Sequence, residues 1–304
     1  MLEIAPEFFE AETRMEFYIE AEMKRAWANE LNVLSEVDRI CTRHGIPYFA
    51  YYGTLLGAVR HRGFIPWDDD IDLAMKRKDF LTFLEYAKRE LPEAFCIKSF
   101  YVNPENTNPI HAVLNRTDIG KNNALTSQYY DCPYICGLDI YVLDGIPQDL
   151  EQAQMQHSLY NIFYDLTNQF ETYQADGTLE DLLAQVKDLV GIDFVRDRTL
   201  KAQIWKAAEA VAQMFDVSEC DRLVWMPDRV LGPDGKNHPI EAFSQTVRLP
   251  FETLTVSAPA GYEDVLSGLY GENWHICDKS GAAHDYPFYR KQNEWMEQNS
   301  SAET

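Results

Sequence analysis

The sequence predicts an α+β fold, a mixed β-sheet flanked by helices, with a long N-terminal helix and a helical insertion. Three observations predict it. Residues 10–44 carry apolar side chains at helical spacing, residues 46–148 alternate short strand-like runs with polar turns, and residues 149–215 change to long helical patterns. The first helix, over 10–45, rests on Met15, Tyr18, Ile19, Met23, Trp27, Leu31, Leu34, Val37 and Ile40, and Gly45 with Pro47 stops it. Residues 47–52 are short and aromatic-rich and read as a strand ending at Gly53, with a short helix over 54–61 behind it. A turn over 62–66 leads to an acidic strand over 67–75. Asp79 is placed to cap a helix whose apolar face includes Phe80, Phe83, Leu84 and Ala87.

Further strands are expected at 94–101, 110–115 and 135–143, with Asp144 as a turn residue after the last. The helical patterns of 149–215 are broken near Asp176-Gly177 and at Gly191. Strands at 223–226 and 251–256 and a helix over 262–270 closed by Gly271 complete the reading, and the polar tail after Trp295 is expected to fray. No repeat, low-complexity tract or linker is visible. The chain 1–304 therefore reads as a single domain: N-terminal helix 10–45, core 46–148, helical insertion 149–215, return segment 216–295 and tail 296–304.

Composition narrows the function. Among 304 residues, 27 Lys and Arg face 49 Asp and Glu, a net charge of −22, which repels nucleic-acid backbones and anionic lipid surfaces. A hydrophobic fraction of 46% supports a large core and excludes wholesale disorder. Acids break up the first residues, so no secretory signal is read, and no apolar stretch approaches a membrane span. Six scattered cysteines fit reduced thiols in a cytoplasm. Cys132 and Cys136 lack the second ligand pair of a structural zinc site.

The segment GTLLGAVRHRGFIPWDDDIDL, residues 53–73, carries the chemistry. If 68–73 is extended, Asp68, Asp70 and Asp72 share one face and Asp69 takes the other. Such a run is by itself most often a turn, a helix N-terminal cluster or a water-exposed face. Its context favours metal. Gly53 and Thr54, after a strand and at a helix start, can present N–H groups and a hydroxyl to a phosphate. Crowded carboxylates need a hard divalent cation such as Mg²⁺ (or Mn²⁺). Asp139, a single acid in the apolar run GLDIYVL, offers a third carboxylate from a neighbouring strand. Arg60, His61 and Arg62 lie between cradle and acids, and Arg60 is the preferred phosphate ligand, with a salt bridge to the acids as the alternative. Asp68 either supports the metal from behind or merely begins the strand. His61 and His284 are assigned no role.

At these residues the chain resembles the LicD family, related to the fukutin group, within the broader nucleotidyltransferase superfamily. Gly53 and Thr54 match its phosphate-binding step, Asp70 and Asp72 its metal pair, and Asp139 its third carboxylate. The resemblance extends to the entry Ile40-Cys41 to Tyr48, to GLDIYVLDGIP at 137–147, where Tyr141-Val142 replaces the usual Phe-Pro, and to PAGYEDVLSGLYGENW at 259–274. It covers most of 30–147 and part of 250–285 and leaves 151–215 poorly matched. It implies a nucleotidyltransferase-like sheet and transfer of a phosphocholine-type group from a CDP-linked alcohol (CDP-choline-like) to a glycan acceptor such as a lipopolysaccharide or teichoic acid precursor. Mg²⁺ would be held by Asp70, Asp72 and Asp139, with Asp139 also the candidate base. A cytoplasmic protein, peripheral at the inner membrane face, follows from that role. A choline-like head needs aromatic faces, for which Tyr51, Tyr52, Trp67, Tyr129, Tyr130 and Tyr134 are candidates. Two other functions compete: transfer of a nucleoside monophosphate to a protein or small molecule, and a non-catalytic metal-binding scaffold.

Overall fold

Trp27 and its neighbours organise the N-terminal third. The stripe Met23, Trp27, Leu31, Leu34, Val37 and Ile40 is wholly buried in helix α1 (Ala21–His44), and Gly45, at φ 63, ends it in the left-handed region. The computed structural model describes residues 1–119, 126–232, 236–277 and 286–300. Helix α1 starts later than its spacing predicts, because Met15 and Glu16 take positive φ and fold strands β1 (Glu12–Arg14) and β2 (Phe17–Ile19) into an antiparallel hairpin. Contacts divide the chain into two compact units, residues 1–97, 112–142 and 242–304 in one and 98–111 and 143–241 in the other.

In the first unit, β3 (Phe49–Ala50) leads directly into α2 (Tyr52–Arg60), so Gly53 and Thr54 lie inside the first turn of the helix. The acidic strand is shorter than expected. β4 (Asp72–Lys76) begins only at Asp72, since Asp68 N–H closes a turn onto the Ile65 carbonyl at 2.9 Å. Helix α3 (Arg77–Glu90) buries Phe80, Phe83, Leu84 and Ala87 as predicted, with Asp79 in its first turn and not at the cap. With β5 (Cys96–Lys98), β6 (His111–Leu114) and β7 (Gly137–Pro147) the strand order is β3-β4-β7-β6-β5, and Ala50 faces Leu73 in the antiparallel β3–β4 pair. Asp144, expected in a turn, is a buried residue of β7 opposite Val224.

The second unit contains α4 (Leu150–Asn168), α5 (Phe170–Asp176), α6 (Leu179–Val190) and α7 (Leu200–Ala212). Gly177 and Gly191, both at positive φ, end α5 and α6 at the predicted breaks. The unit also takes in β8 (Cys220–Val224), α8 (Met226–Leu231) and β9 (His238–Pro239). The helical insertion expected over 149–215 is therefore part of a unit with its own core, around Phe163, Leu183, Ile204 and Trp205. Buried Gln156 ties it together, donating to the Gly145 and Ala212 carbonyls and accepting from Arg229.

The chain returns to the first unit as β10 (Thr246–Phe251) and β11 (Leu254–Pro259), a hairpin turned by Glu252 at φ 50, so the run 251–256 is split and not one strand. Helix α9 (Tyr262–Tyr270) matches its predicted bounds, with Gly271 at φ 79 behind it. Helix α10 (Arg290–Ser300) takes in the first residues of the expected tail, and 301–304 lie outside the described residues. Gln292 holds both the N–H and the carbonyl of Ile135, Asn293 accepts from the Tyr134 hydroxyl at 2.6 Å, and Tyr289 stacks on Tyr134. No described helix is long and apolar enough to cross a membrane.

Candidate active site

The loop between α2 and β4 carries the acids, and it is fastened from three directions. Trp27 stacks on Phe64 with ring centroids 4.5 Å apart, and its indole N–H donates to the Asp68 carbonyl at 3.1 Å. Glu252, in the β10–β11 turn, accepts the Phe64 N–H and a two-pronged guanidinium contact from Arg14, while its own N–H donates to the Arg62 carbonyl. Further on, the Asp139 N–H donates to the Ile71 carbonyl at 2.9 Å and lays β7 beside the loop.

These anchors concentrate carboxylates. Asp68, Asp69 and Asp70 each offer an oxygen, all within 4.8 Å of one another. The alternation expected of an extended 68–73 therefore fails. Residues before Asp72 are outside the strand, and Asp69 joins the cluster, buried and accepting the Phe288 N–H. Asp72 is 6% exposed, with no hydrogen-bond partner for Oδ1. Burial, and then the charges of Asp70, Asp139 and Asp68, raise its pKa well above the ordinary value, against a hydrogen bond from Tyr141. Asp70 and Asp139 line one pocket. Asp70 and Asp139 are thus among the charges that bear on Asp72. Among the described residues, the carboxylates whose oxygens lie within metal-binding reach of one another are Asp68, Asp69 and Asp70, an all-oxygen set of the kind a hard divalent cation takes, and of the three predicted ligands only Asp70 falls in it.

The predicted phosphate cradle is built differently. A Cβ on Gly53 would overlap Asp68 Oδ2, so the glycine lets that carboxylate approach the start of α2. The Thr54 hydroxyl accepts the Asp72 N–H at 2.8 Å and sets the start of β4. Arg60 donates to the carbonyls of Trp274 and Ile276, and its Nε is buried without a partner among the described residues. Burial lowers the pKa of Arg60 and also that of His61, which Arg60 and Arg14 depress further. His284 lies outside the described residues.

Two residues escaped the sequence reading. Glu30 is 2% exposed on α1, Oε2 has no partner, and burial followed by Asp69, Asp70, Cys132 and Asp68 raises its pKa well above ordinary. It occupies the position between Trp27 and Leu34 on the buried stripe, so a charge at an apolar-face position was the available signal. Tyr141, read only as a departure from a family pattern, hydrogen-bonds Asp72, and no sequence signal announces that contact.

Replacing Gly53 with Ala is expected to cut turnover about 10²-fold, by displacing Asp68, with the fold intact by circular dichroism. Wild-type turnover would show that the approach of Asp68 to α2 is not used. A pH effect follows from Asp72. Its folded pKa lies above the ordinary 3.8, so the metal-free folded state binds the extra proton and its stabilising contribution is complete below about pH 4 and lost as pH rises through the folded value. The melting temperature of Asp72→Asn minus that of wild type, both in chelator, should therefore grow as pH rises from about 4 towards neutrality. A pH-independent difference would contradict the assignment.

The model of the LicD/FKTN/FKRP nucleotidyltransferase domain matches residues 45–128, which contain Gly53, Thr54, Arg60, Asp70 and Asp72 and stop before Asp139. Over 247 residues the chain is 23% identical to the lipopolysaccharide cholinephosphotransferase LicD of Haemophilus influenzae, covering 80% of this chain and 87% of that protein. It is also 39% identical over 70 residues to an uncharacterized protein of Rickettsia typhi, 21% of this chain and 23% of that one.

Proposed function

We infer, from the membership of this chain in the LicD family, that it is a phosphotransferase moving a phosphocholine-type group from a CDP-activated alcohol to a hydroxyl of a cell-surface glycan or its precursor. The observation that carries the reading is the buried, orphaned carboxylate of Asp72 beside Asp70 and Asp139, in a chain similar over most of its length to a cholinephosphotransferase.

The acceptor hydroxyl attacks the phosphorus that bears the alcohol, the bond from that phosphorus to the bridging oxygen breaks, and CMP leaves with the bridging oxygen. Asp139, half-buried and lining the pocket, takes the hydroxyl proton. Asp70 and Asp72, with Asp139, are the residues that would hold Mg²⁺ or Mn²⁺, which supplies neutralisation of the diphosphate and of the charge developing on the bridging oxygen. Thr54 and Tyr141 keep Asp72 in position. Arg60, whose Nε is buried without a partner among the described residues, is the positive group assigned to the donor phosphates. Tyr52 and Tyr141, with ring centroids 4.8 Å apart, are the aromatic faces adjoining the acids that suit a quaternary ammonium. Of the other aromatic candidates, Tyr134 is packed in the core against Tyr289 and Trp67 packs edge-on against Phe17. A cytoplasmic location, peripheral at the inner membrane face, fits a nucleotide-activated donor and a glycan precursor.

The test is CMP release from a panel of CDP-alcohols, with and without a glycan acceptor and divalent cation. Acceptor-dependent CMP release with transfer of label from the alcohol is expected. Transfer of label from the base would establish nucleoside monophosphate transfer instead, and no release from any donor would overturn the reading.

A further inference from the structure

Cys132 and Cys136, too few for a zinc site, meet in the fold. Their sulfurs lie 3.8 Å apart, and both side chains are buried. The Cys132 N–H donates to the Tyr129 carbonyl across a turn in which Tyr130 and Asp131 take positive φ. Cys136 is clamped on Asn115: its N–H donates to Asn115 Oδ1 at 2.9 Å, and its carbonyl accepts the Asn115 N–H at 2.8 Å. Arg116 follows directly. It is 3% exposed, and its Nε and Nη1 have no partner among the described residues. A hydrogen bond from Cys136 lowers the pKa of Cys132 against burial, and Arg116 acts in the same sense. Burial raises the pKa of Cys136 well above ordinary. The pair is thus a thiolate-forming Cys132 beside a proton-bearing Cys136. Cys136 also lines the pocket of about 550 Å³ that contains Asp70 and Asp139, which gives a small oxidant a route to the buried sulfurs.

We propose that Cys132 and Cys136 are a hydroperoxide-sensitive dithiol that closes to a disulfide and thereby slows transfer. The Cys132 thiolate attacks one oxygen of the peroxide, the O–O bond breaks, and Cys132 becomes a sulfenic acid. With hydrogen peroxide, the departing hydroxide takes the Cys136 proton and becomes water. The Cys136 sulfur then attacks the Cys132 sulfur, forming the S–S bond and expelling hydroxide. Two electrons leave the sulfurs and reduce the peroxide. Closure pulls on Cys136, the residue before Gly137 at the start of β7. Gly137 has no slack, because a Cβ there would overlap the Val113 carbonyl, and Asp139 in the same strand is tied to Ile71. A shift at Cys136 is therefore carried to Asp139. The slowing of transfer rests on the phosphotransferase reading, whereas the dithiol does not.

Hydrogen peroxide added to the folded, reduced, full-length protein tests this, followed by alkylation, peptide mass mapping and rates of CMP release. The peptide carrying Cys132 and Cys136 is expected to lose two hydrogens and resist alkylation. CMP release should fall at least about tenfold, the order of effect of a small displacement at a reacting centre, and return with dithiothreitol. Cys136→Ser should instead leave a sulfenic acid on Cys132 that dimedone captures. Cys132→Ser should form neither product and keep its rate in peroxide. Wild type carries the mass test by itself if a variant does not fold. Alkylation of both cysteines after peroxide treatment of the native protein would overturn the proposal, as would a cross-link that leaves CMP release unchanged. Absence of CMP release from the reduced protein would sink the phosphotransferase reading instead, and the mass change would then decide the dithiol alone.

Discussion

Asp72→Asn is expected to lower transfer on the order of 10³-fold or more, while the metal-free protein melts at a higher temperature than wild type. Both parts come from the same surroundings. The side chain is buried, one carboxylate oxygen has no hydrogen bond, and after burial the charges of Asp70, Asp139 and Asp68 act most strongly on it. Without a cation, ionised Asp72 is held against its neighbours, and an amide of the same shape removes that repulsion. The amide oxygen still accepts from Tyr141, and the Asp72 backbone N–H still donates to Thr54, so the start of β4 keeps its position. With a cation, the variant has lost a charged ligand from the reacting centre. Initial rates of CMP release at saturating Mg²⁺, paired with melting curves in chelator, measure both. Wild-type turnover would remove Asp72 from the site, and a large fall in metal-free melting temperature would show that its charge is compensated by the protein itself.

Trp27→Ala is expected to cost about 3–5 kcal/mol of stability, a large part of the roughly 5–15 kcal/mol typical of a whole protein. The indole is wholly buried, stacks on Phe64 and donates to the Asp68 carbonyl. Its loss opens a cavity behind the acidic loop as well as removing a bond. Trp27→Phe separates the two contributions. It keeps a ring against Phe64 but leaves the Asp68 carbonyl without its donor, a loss of about 1 kcal/mol, so it should fold and transfer more slowly. Denaturant midpoints and turnover of the pair check this. An alanine variant with a wild-type midpoint would show that the stacked rings contribute little.

Much of the site was legible as local pattern. Gly53, Thr54, Asp70 and Asp72 stand in one short segment, and Asp139 is conspicuous as an acid in an apolar strand, whose N–H the structure joins to Ile71 between them. What local pattern could not convey is where the ladder of hydrogen bonds begins. Reading 67–75 as a strand put Asp69 on the far face, but pairing with β3 starts at Leu73, and the chain before Asp72 is shaped by a turn at Ile65 and by contacts with Glu252 and Phe288 far along the chain. The same limit explains the hairpin over 12–19, since Met15 and Glu16 reverse the chain by a backbone conformation that side-chain spacing does not record. The end of the return segment is fastened by Gln292 and Asn293 to Ile135 and Tyr134, contacts that polar spacing alone does not announce. Glu30 was visible all along at an apolar position of α1, but its significance lies in the neighbours that only the fold supplies.

Glu252 clasps the loop at Phe64, and the Phe288 N–H closes onto Asp69. During synthesis, a ribosome-bound chain ending before residue 288 already contains every acid of the cluster and the Trp27 and Glu252 clasps, and lacks the N–H that closes onto Asp69. A fragment confined to residues 45–128 would carry Asp68, Asp69 and Asp70 without Trp27, Glu252 or Phe288 to hold them.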